Sequence, residues 1–487
     1  MSVPSARVRV MNEAPLRADG AYVLYWMTSA RRRLHNFGLQ RAVELAKEHR
    51  CGLVVFEPLR VAYPWASDRL HGFVLDGMAD NQRAFATGDA TYYPYVEPHD
   101  GAGKGLLAAL SERAVAVVTD YLPSFFLPRM LKAASTKVDV RMEVVDSNGL
   151  LPIAAAPNDF YTAYLFRRFL QKNLAPHLVA LPDEDSLAGV RLPDASSAVA
   201  HVVERWPAAS AALLAREPAA LAALPIDHTV GVVAMRGGAG AAAAKLDEFL
   251  DDKLARYGED RNQPDEDASS GFSPYLHFGH LSVHHVLGRL AEHEGWTPAK
   301  ITGIKTGKRE GWWGMSPAAE SFLDELVTWR ELGYNHCARN PATYDRYESL
   351  PDWARKTLEK HASDPRPRSY SLEELASAST HDKVWNAAQR ELVTHGRMHN
   401  YLRMLWGKKV LEWSPSAQVA VERLIELNNR YALDGRNPNS YSGIFWTVGR
   451  YDRPWAPERP IFGQIRYMSS DNTVKKLHMK KYLARFA

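Results

Sequence analysis

Two tryptophans and an arginine share one apolar stretch, GRMHNYLRMLWGKKVLEW at 396–413. Trp406 and Trp413 are seven residues apart, so on an ideal α-helix they lie on nearly the same face and roughly 10 Å apart along the axis. Indole rings at that spacing could pass electrons, although packing in a core also places aromatic residues seven apart. Arg403 lies among apolar residues, and a guanidinium buried there would need a partner.

Two other segments combine polar and apolar residues at spacings that could form a binding or catalytic site. Glu325 and Trp329 are four residues apart, which puts a carboxyl group and an indole on one helix face. A surface carboxylate beside a core ring would look the same. The segment SSGFSPYLHFG at 269–279 places hydroxyls and glycine before a helix, whose first N–H groups could bind a phosphate. An ordinary cap at Ser273 followed by Pro274 explains this pattern as well.

The elements that must position these residues differ between the two halves of the chain. The predicted strands are AYVLYWMT (21–28), GLVVFEPL (52–59), AVAVVTDYL (114–122) and VDVRMEVVD (138–146). A helix is predicted at LQRAVELAKEH (39–49), and strands alternating with helices indicate a Rossmann-like parallel sheet up to about residue 155. From about residue 245 the periodicity is helical almost throughout.

Three regions follow from this division. We predict an α/β domain at 20–180, an Ala-, Pro- and Ser-rich interdomain linker at 181–244, and an all-helical domain at 245–487. The first 20 residues are expected to be a disordered or loosely attached leader.

The charge is uneven, because the net charge is only +4 but the chain from residue 381 onward has 18 Lys and Arg against 9 Asp and Glu. Such a basic region is typical of a surface that binds a polyanion, and a solvated basic surface is an equally good explanation. The pair Lys408–Lys409 is expected to be solvated.

Several classes of protein are excluded by composition. The two cysteines, Cys51 and Cys337, are too few for a disulfide scaffold or a Cys-rich metal site, and the histidines show no metal-binding spacing. No 18-residue apolar run and no signal peptide occur, so we expect no membrane segment and a cytoplasmic protein that associates with the nucleoid, or a nuclear one in a eukaryote.

Three segments together are specific: RYGEDRNQPDEDASSGFSPYLHFGHLS (256–282), SFLDELVTWRELGYNHC (321–337), and the run from THDKVW to RPIFGQIRYM (380–468). In order and spacing they resemble the photolyase/cryptochrome family, and most closely its class II cyclobutane pyrimidine dimer photolyases. The resemblance implies FAD bound in the helical domain and light-driven electron transfer to a pyrimidine dimer flipped out of UV-damaged DNA.

The resemblance also implies roles for single residues around the flavin. Asn428 would face flavin N5, and Arg403 would pair with Asp434 beside the isoalloxazine ring. The other implied FAD contacts are Tyr257, Ser270, Phe272, Ser273, Asn335 and Gly435. The tryptophans Trp385, Trp406 and Trp413 match the electron-transfer chain of the class II enzymes.

At the lesion, the resemblance makes Glu325 a hydrogen-bond donor to the carbonyl oxygens of the dimer. Trp329 and Trp446 would form apolar walls of the pocket, with Met404 beside them. Arg261 and Asn262 match positions near the lesion. The implied DNA contacts are Arg453, Arg466, Lys475 and Lys476, and also Lys480 and Lys481.

This chain departs from the family pattern in three places. The segment 294–321, with paired Trp312 and Trp313, is longer than usual and could face DNA or support the flavin pocket. Asn400 replaces a frequent glycine, and one residue is missing between Trp446 and Arg453. Two alternatives to repair of cyclobutane dimers therefore remain: a light-sensing cryptochrome and an enzyme that repairs (6-4) photoproducts. A second, antenna chromophore of the deazaflavin or folate type is left open, and a monomer is expected.

Overall fold

The chain divides into two compact units in the computed structural model, which describes residues 2–487. The first unit comprises the residues up to Pro157, Leu174–Asp247 and Gly271–Pro298. The second unit comprises Asn158–Asn173, Glu248–Ser270 and Ala299–Ala487. The segment 181–244, predicted as a linker, therefore falls inside the first unit.

A six-stranded sheet forms the centre of the first unit, with the strand order β1-β6-β5-β2-β3-β4. The strands are β1 (Val8–Val10), β2 (Tyr22–Trp26), β3 (Gly52–Leu59), β4 (Thr91–Val96), β5 (Ala114–Asp120) and β6 (Met142–Val145). All neighbours pair in parallel except β1, which runs antiparallel to β6. The predicted Rossmann-like parallel sheet is confirmed.

Two strands, β1 and β4, are absent from the predicted set. β4 contains Pro94 and lies at the edge of the sheet, where the missing N–H of proline is tolerated. The expectation of a loosely attached leader is wrong, because β1 pairs with β6 and Arg7 is buried. The Arg7 guanidinium donates to the carbonyl oxygens of Asp146, Gly149 and Leu150 at 3.1, 3.0 and 2.8 Å.

The sheet is buried on both faces, as its continuous apolar strands require. Along β2, Tyr22 and Trp26 belong to one hydrophobic cluster, whereas Val23 and Tyr25 belong to another. This alternation follows from the two-residue period of a strand.

The helices follow in chain order: α1 (Phe37–His49), α2 (Asp68–Phe85), α3 (Leu106–Ser111), α4 (Leu127–Ser135), α5 (Ala163–Asn173), α6 (Ser196–Arg205), α7 (Ala211–Leu214), α8 (Pro218–Ala222), α9 (Ala239–Glu248), α10 (Leu254–Asp260), α11 (Ser273–Phe278), α12 (Val283–His293), α13 (Pro317–Leu323), α14 (Arg330–Arg339), α15 (Asp352–Lys360), α16 (Leu372–Ala376), α17 (Lys383–His395), α18 (Asn400–Trp413), α19 (Ala417–Tyr431), α20 (Pro438–Thr447), α21 (Ser470–Lys476) and α22 (Lys480–Arg485). Two π-helical segments, Phe249–Lys253 and Asp324–Trp329, connect α9 to α10 and α13 to α14. Among the described residues, no helix combines the length and the apolar character needed to cross a membrane.

The second unit is helical, as predicted, and α18 lies at its centre. This helix packs against α17, α19 and α20. Its residues 405–411 are all buried, so it has no solvent-exposed face over that length. A helix that is buried all round has no separate polar face, which explains why this stretch shows so little amphipathic pattern although it includes Lys408 and Lys409.

Candidate functional site

Glu325 and Trp329 lie on the π-helical segment Asp324–Trp329. Such segments are rare and occur frequently at functional sites, because each carries an extra residue that disturbs the helical hydrogen bonds. Both side chains are half-buried. The segment thus presents a carboxyl group and an indole at a helix irregularity.

Arg261 is the ionic partner of Glu325. Its Nη1 lies 2.5 Å from Oε1 of Glu325, and the two side chains are 14% and 28% exposed. The same guanidinium lies over the buried ring of Tyr257, with Cζ 5.6 Å from the ring centroid. Residues that the sequence assigns separately to the flavin and to the lesion therefore form one cluster.

The environment of Glu325 favours its protonated form. Burial raises the pKa of Glu325, the charge of Asp324 adds to this, and attraction by Arg261 acts in the opposite direction. Asp324 is fixed by two hydrogen bonds from Arg167, of 2.7 and 3.0 Å. A carboxyl group that keeps its proton to a higher pH can donate a hydrogen bond to a carbonyl oxygen.

The two predicted pocket walls lie against each other. The rings of Trp329 and Trp446 stack with centroids 4.7 Å apart and an interplanar angle of 19°. Both are half-buried, as are Met404 and Asn262. The paired indoles present an apolar aromatic surface of the kind on which bases stack.

Arg403 has the acidic partner that its position requires. Its Nη2 lies 2.8 Å from Oδ1 of Asp434, and the Arg403 side chain is 26% exposed. The next residue, Gly435, has no room for a side chain, since a Cβ there would lie 2.9 Å from the carbonyl oxygen of Asn428. The glycine lets this turn lie close to the end of α19.

Asn428 is oriented by its neighbours. Its Nδ2 donates to Ser440 Oγ at 2.7 Å and to Asn429 Oδ1 at 3.2 Å. Both bonds use the amide nitrogen, so the side-chain oxygen of this buried residue is directed elsewhere as an acceptor. An acceptor in this position suits the N–H of a reduced flavin.

The predicted phosphate-binding residues fall in both units. Ser270 ends one segment of the second unit, whereas Phe272 and Ser273 belong to the first unit. Phe272 occupies the N-cap of α11 and Ser273 is its first residue, so Ser273 is not the cap. Gly271 has φ +71°, which favours glycine, and a Cβ there would lie 3.1 Å from Lys245 Cε.

Asn335 is buried and its Nδ2 donates to the carbonyl oxygen of Asn158 at 3.0 Å. The adjacent His336 lies with Nδ1 3.1 Å from Asp159 Oδ1 and 3.2 Å from Arg450 Nη1. This polar cluster was not predicted, because its members are more than 100 residues apart and match no motif.

The three tryptophans predicted to transfer electrons form a contact series. Trp406 and Trp385 are stacked, with centroids 6.4 Å apart and an angle of 5°. Trp385 and Trp413 meet edge to face at 5.5 Å. Trp385 Nε1 also donates to the carbonyl oxygen of Trp406 at 3.0 Å. The order in space is therefore 406, 385, 413, with Trp385 between the two residues of α18.

The expectation that Lys408 and Lys409 are solvated is wrong. Lys408 is fully buried and its Nζ has no hydrogen-bond partner among the described residues. Burial lowers its pKa from 10.5 to about 7, although attraction by Asp452 opposes this. Lys409 is 8% exposed and forms an ion pair with Glu412 at 2.8 Å. The second unit thus encloses an ammonium group that lacks a hydrogen-bonded counter-ion.

The predicted DNA contacts are two arginines outside the helices and lysines of the last two helices. Arg453 and Arg466 both place their guanidinium carbon over Trp455, at 4.9 and 5.1 Å from a ring centroid. Trp455 Nε1 donates to Asp452 Oδ1 at 3.0 Å, which holds the indole in place. The lysines 475, 476, 480 and 481 are exposed in the last two helices.

The long segment at 299–321 is attached to the second unit by buried groups. Trp312 and Trp313 are 1% and 0% exposed, with ring centroids 4.3 Å apart. Glu320 accepts from the backbone of Gly314 at 2.9 Å and also from that of Gly311. These contacts favour the interpretation of this segment as a support rather than a mobile DNA-facing loop.

The residues of the second unit fit a flavin better than a metal. Asn428 offers an acceptor, and the Arg403–Asp434 pair offers charges of both signs. Within residues 2–487, no group of three or more His, Cys, Asp or Glu side chains is arranged to hold a metal ion.

The whole chain is similar to known proteins in sequence and in fold. A deoxyribodipyrimidine photo-lyase from Methanothermobacter thermautotrophicus is 32% identical over 488 residues, covering 99% of this chain and 98% of the relative. The fold is similar to that of a class III photolyase from Agrobacterium tumefaciens (TM-score 0.66, 18% identity, 97% and 87% of the two chains). It is also similar to that of a cryptochrome from Synechocystis sp. PCC6803 (TM-score 0.64, 16% identity, 96% and 88%). No protein-family model matches the chain.

Proposed function

The chain belongs to the deoxyribodipyrimidine photo-lyases of the photolyase/cryptochrome family, and we propose that it repairs cyclobutane pyrimidine dimers in UV-damaged DNA in a light-driven reaction. The observation that supports repair most strongly is Glu325, a half-buried carboxyl group 2.5 Å from Arg261, whose raised pKa also suits a hydrogen-bond donor. It lies on the same π-helical segment as one of two stacked indoles that can receive bases.

The proposed cofactor is FAD, which when bound absorbs light and supplies the electron that the dimer receives. The chain's own contribution is to bind and orient it. Asn428 would accept a hydrogen bond from the flavin ring through its Oδ1, because its Nδ2 is already engaged by Ser440. The Arg403 guanidinium would supply positive charge to the bound flavin, and Asp434 keeps that guanidinium in position.

Glu325 acts on the dimer. When the lesion enters, its carbonyl oxygen takes the place of Arg261 as the partner of the Glu325 carboxyl group. Once it is no longer paired with the guanidinium, the buried carboxylate takes up a proton from water, because burial raises its pKa. The protonated carboxyl then donates to that oxygen, where negative charge develops as the ring opens. Arg261 stays within reach and adds positive charge on the same side.

Trp329 and Trp446 compensate the cost of flipping the lesion out of the duplex. Unstacking costs a few kcal/mol, and stacking on an aromatic side chain recovers about 1–3 kcal/mol per base. Arg453 and Arg466, held against Trp455, and the lysines of the last two helices bind the DNA strand around the gap. This contribution is independent of base sequence and depends on salt.

The test is repair by the full chain with FAD bound and reduced. DNA with a defined cyclobutane dimer is incubated with the protein, illuminated with blue or near-UV light, and analysed for restored thymines, with a dark sample as control. Light-dependent restoration supports the proposal. Binding of FAD and photoreduction without restored thymines would instead favour a light sensor, and restoration only of (6-4) photoproducts would favour the other repair activity.

The proposal also includes the class II assignment, the question of a second chromophore, and a monomeric state. The class II assignment rests on the resemblance of the motifs. A second chromophore of the deazaflavin or folate type is tested by extracting the purified protein and recording absorption beyond that of FAD. A monomer is tested by light scattering in solution.

A further inference from the structure

The segment 299–316, which precedes α13, has no role in the proposed function, although it is firmly attached to α5. The Gly307 N–H donates to Gln171 Oε1 at 2.7 Å, and Gln171 Nε2 donates to the carbonyl oxygen of Lys308 at 2.8 Å. Arg167 Nη1 donates to the carbonyl oxygen of Gly307 at 3.1 Å. The segment is therefore not a mobile loop, and the side chains that it exposes start from a fixed backbone.

This segment and α5 both reach the π-helical segment Asp324–Trp329. Arg309 Nε lies 3.3 Å from Asp324 Oδ2, and the Arg309 side chain is 55% exposed. Arg167 of α5 donates to the two carboxylate oxygens of Asp324 at 2.7 and 3.0 Å. All of these residues belong to the second unit. Because Glu325 directly follows Asp324, the segment and α5 lie beside the proposed lesion site.

The surface that they form is strongly basic. Residues 160–173 and 299–316 together contain seven Lys and Arg and one acidic residue, Glu310. Two of the seven pair with Asp324. Four others are exposed and form no ion pair within residues 2–487, namely Arg168, Lys172, Lys305 and Lys308. Exposed cations without counter-ions are typical of a surface that binds a polyanion.

Tyrosines lie next to these cations. Tyr161 and Tyr164 are 65% and 52% exposed. The ring of Tyr164 lies against the segment, since a Cβ at Gly307 would be only 2.7 Å from Cε2 of Tyr164. Tyr164, Arg168 and Lys172 follow each other at intervals of four residues, which places them along one face of α5. Lysine, arginine and tyrosine side chains are all donors to phosphate oxygens in protein–DNA contacts.

We infer that this surface binds phosphates of the DNA duplex next to the flipped dimer. Its residues are Tyr164, Arg168, Lys172, Lys305 and Lys308. The inference rests on the proposed function, from which it takes DNA as the partner. It adds a second phosphate-binding surface to the one proposed around Trp455 and in the last two helices. Because the backbone beneath these side chains is already fixed, binding does not have to order it.

The first experiment measures the affinity of the full chain for a dimer-containing duplex at several salt concentrations in the dark. Lys305→Ala/Lys308→Ala should flatten the dependence of log K on log salt by about 2, because each neutralised phosphate contributes about 0.9 to the slope. The matched control is Lys47→Ala/Lys132→Ala, which removes the same charge from exposed positions in α1 and α4 of the first unit. The control should keep the wild-type slope.

An unchanged slope in Lys305→Ala/Lys308→Ala would overturn the inference and leave this surface to a protein partner. Equal flattening in the control would also overturn it, because the effect would then come from net charge alone. Both measurements are made in the dark, so they do not depend on repair. A wild type that binds DNA through these lysines but restores no thymines contradicts light-driven repair and leaves the phosphate-binding surface intact.

The second experiment locates the surface on the DNA. Thr306 is exposed between the two lysines, and both natural cysteines, Cys51 and Cys337, are buried. Thr306→Cys therefore offers one accessible thiol, to which an iron chelate that cleaves nearby DNA is attached. Cleavage is expected only at nucleotides adjacent to the dimer. Cleavage spread along the duplex, or no cleavage of bound DNA, would contradict the inferred position.

Discussion

Replacing Lys408 with methionine is expected to stabilise the protein at neutral and acidic pH. The Lys408 ammonium group is fully buried in α18 and its Nζ has no hydrogen-bond partner within residues 2–487. Methionine has a similar length and no charge, so Lys408→Met keeps the packing and removes the cost of desolvation.

The magnitude follows from the shift of the Lys408 pKa from 10.5 to about 7. The unfolded chain binds more protons than the folded one between these values, so the stability of the wild type rises with pH across this window. At 1.36 kcal/mol per pKa unit, folding with Lys408 costs about 5 kcal/mol at pH 6 and about 2 kcal/mol at pH 9. The wild type should therefore gain about 3 kcal/mol relative to Lys408→Met over this range.

The assay is urea unfolding of both proteins at pH 6 and pH 9, followed by tryptophan fluorescence. Other groups titrate equally in the two proteins, so the difference between them isolates Lys408. Lys409→Met is the matched control, since it removes the ion pair with Glu412 and should destabilise by about 1 kcal/mol. A stability difference between wild type and Lys408→Met that stays constant from pH 6 to pH 9 would refute the reasoning.

Four further predictions concern the carboxyl group at the lesion, pH, photoreduction and salt. Glu325→Ala should lower the repair yield roughly ten-fold while FAD stays bound, and loss of FAD would contradict the assigned role. Repair by the wild type should decline as the pH rises through the pKa of Glu325. Arg261→Ala should move that decline to higher pH, because Arg261 lowers this pKa, and an unmoved decline would argue against Glu325 as the donor. Trp406→Phe should slow photoreduction of oxidised FAD but spare repair by pre-reduced enzyme, which absorption and thymine counts measure separately. Replacing both Lys475 and Lys476 with alanine should flatten the dependence of log K for DNA on log salt by about 2, and an unchanged slope would exclude phosphate contacts there.

The sequence predicts those parts of the fold that depend on the residue pattern of a single short segment. β3 is predicted at Gly52–Leu59 without error, because it contains the apolar run LVVF with a β-branched pair, and Pro58 lies only at its end. Thr91–Val96 is missed because Pro94 argues against a strand unless its edge position is known. The prediction that the first 20 residues are loosely attached is wrong because Arg7 is fixed by hydrogen bonds to carbonyl groups about 140 residues away in the sequence.

The candidate site shows the same limit. The resemblance identifies Glu325 and Arg261, but only the structure joins them at 2.5 Å across 64 positions of sequence. The sequence alone pairs Trp406 and Trp413 on one helix. Only the structure shows that Trp385 of α17 lies between them and contacts both rings. Lys408 looks solvated in sequence, because two adjacent lysines usually are, and it is buried because α18 has no solvent-exposed face there.

The most direct test of light-driven repair is one measurement on reduced, FAD-loaded wild type. Duplex DNA with a single cyclobutane thymine dimer is illuminated with blue light beside a dark sample and a sample that contains a (6-4) photoproduct. We expect intact thymines to return only in the illuminated cyclobutane sample. No light-dependent return in that sample would contradict the proposed function.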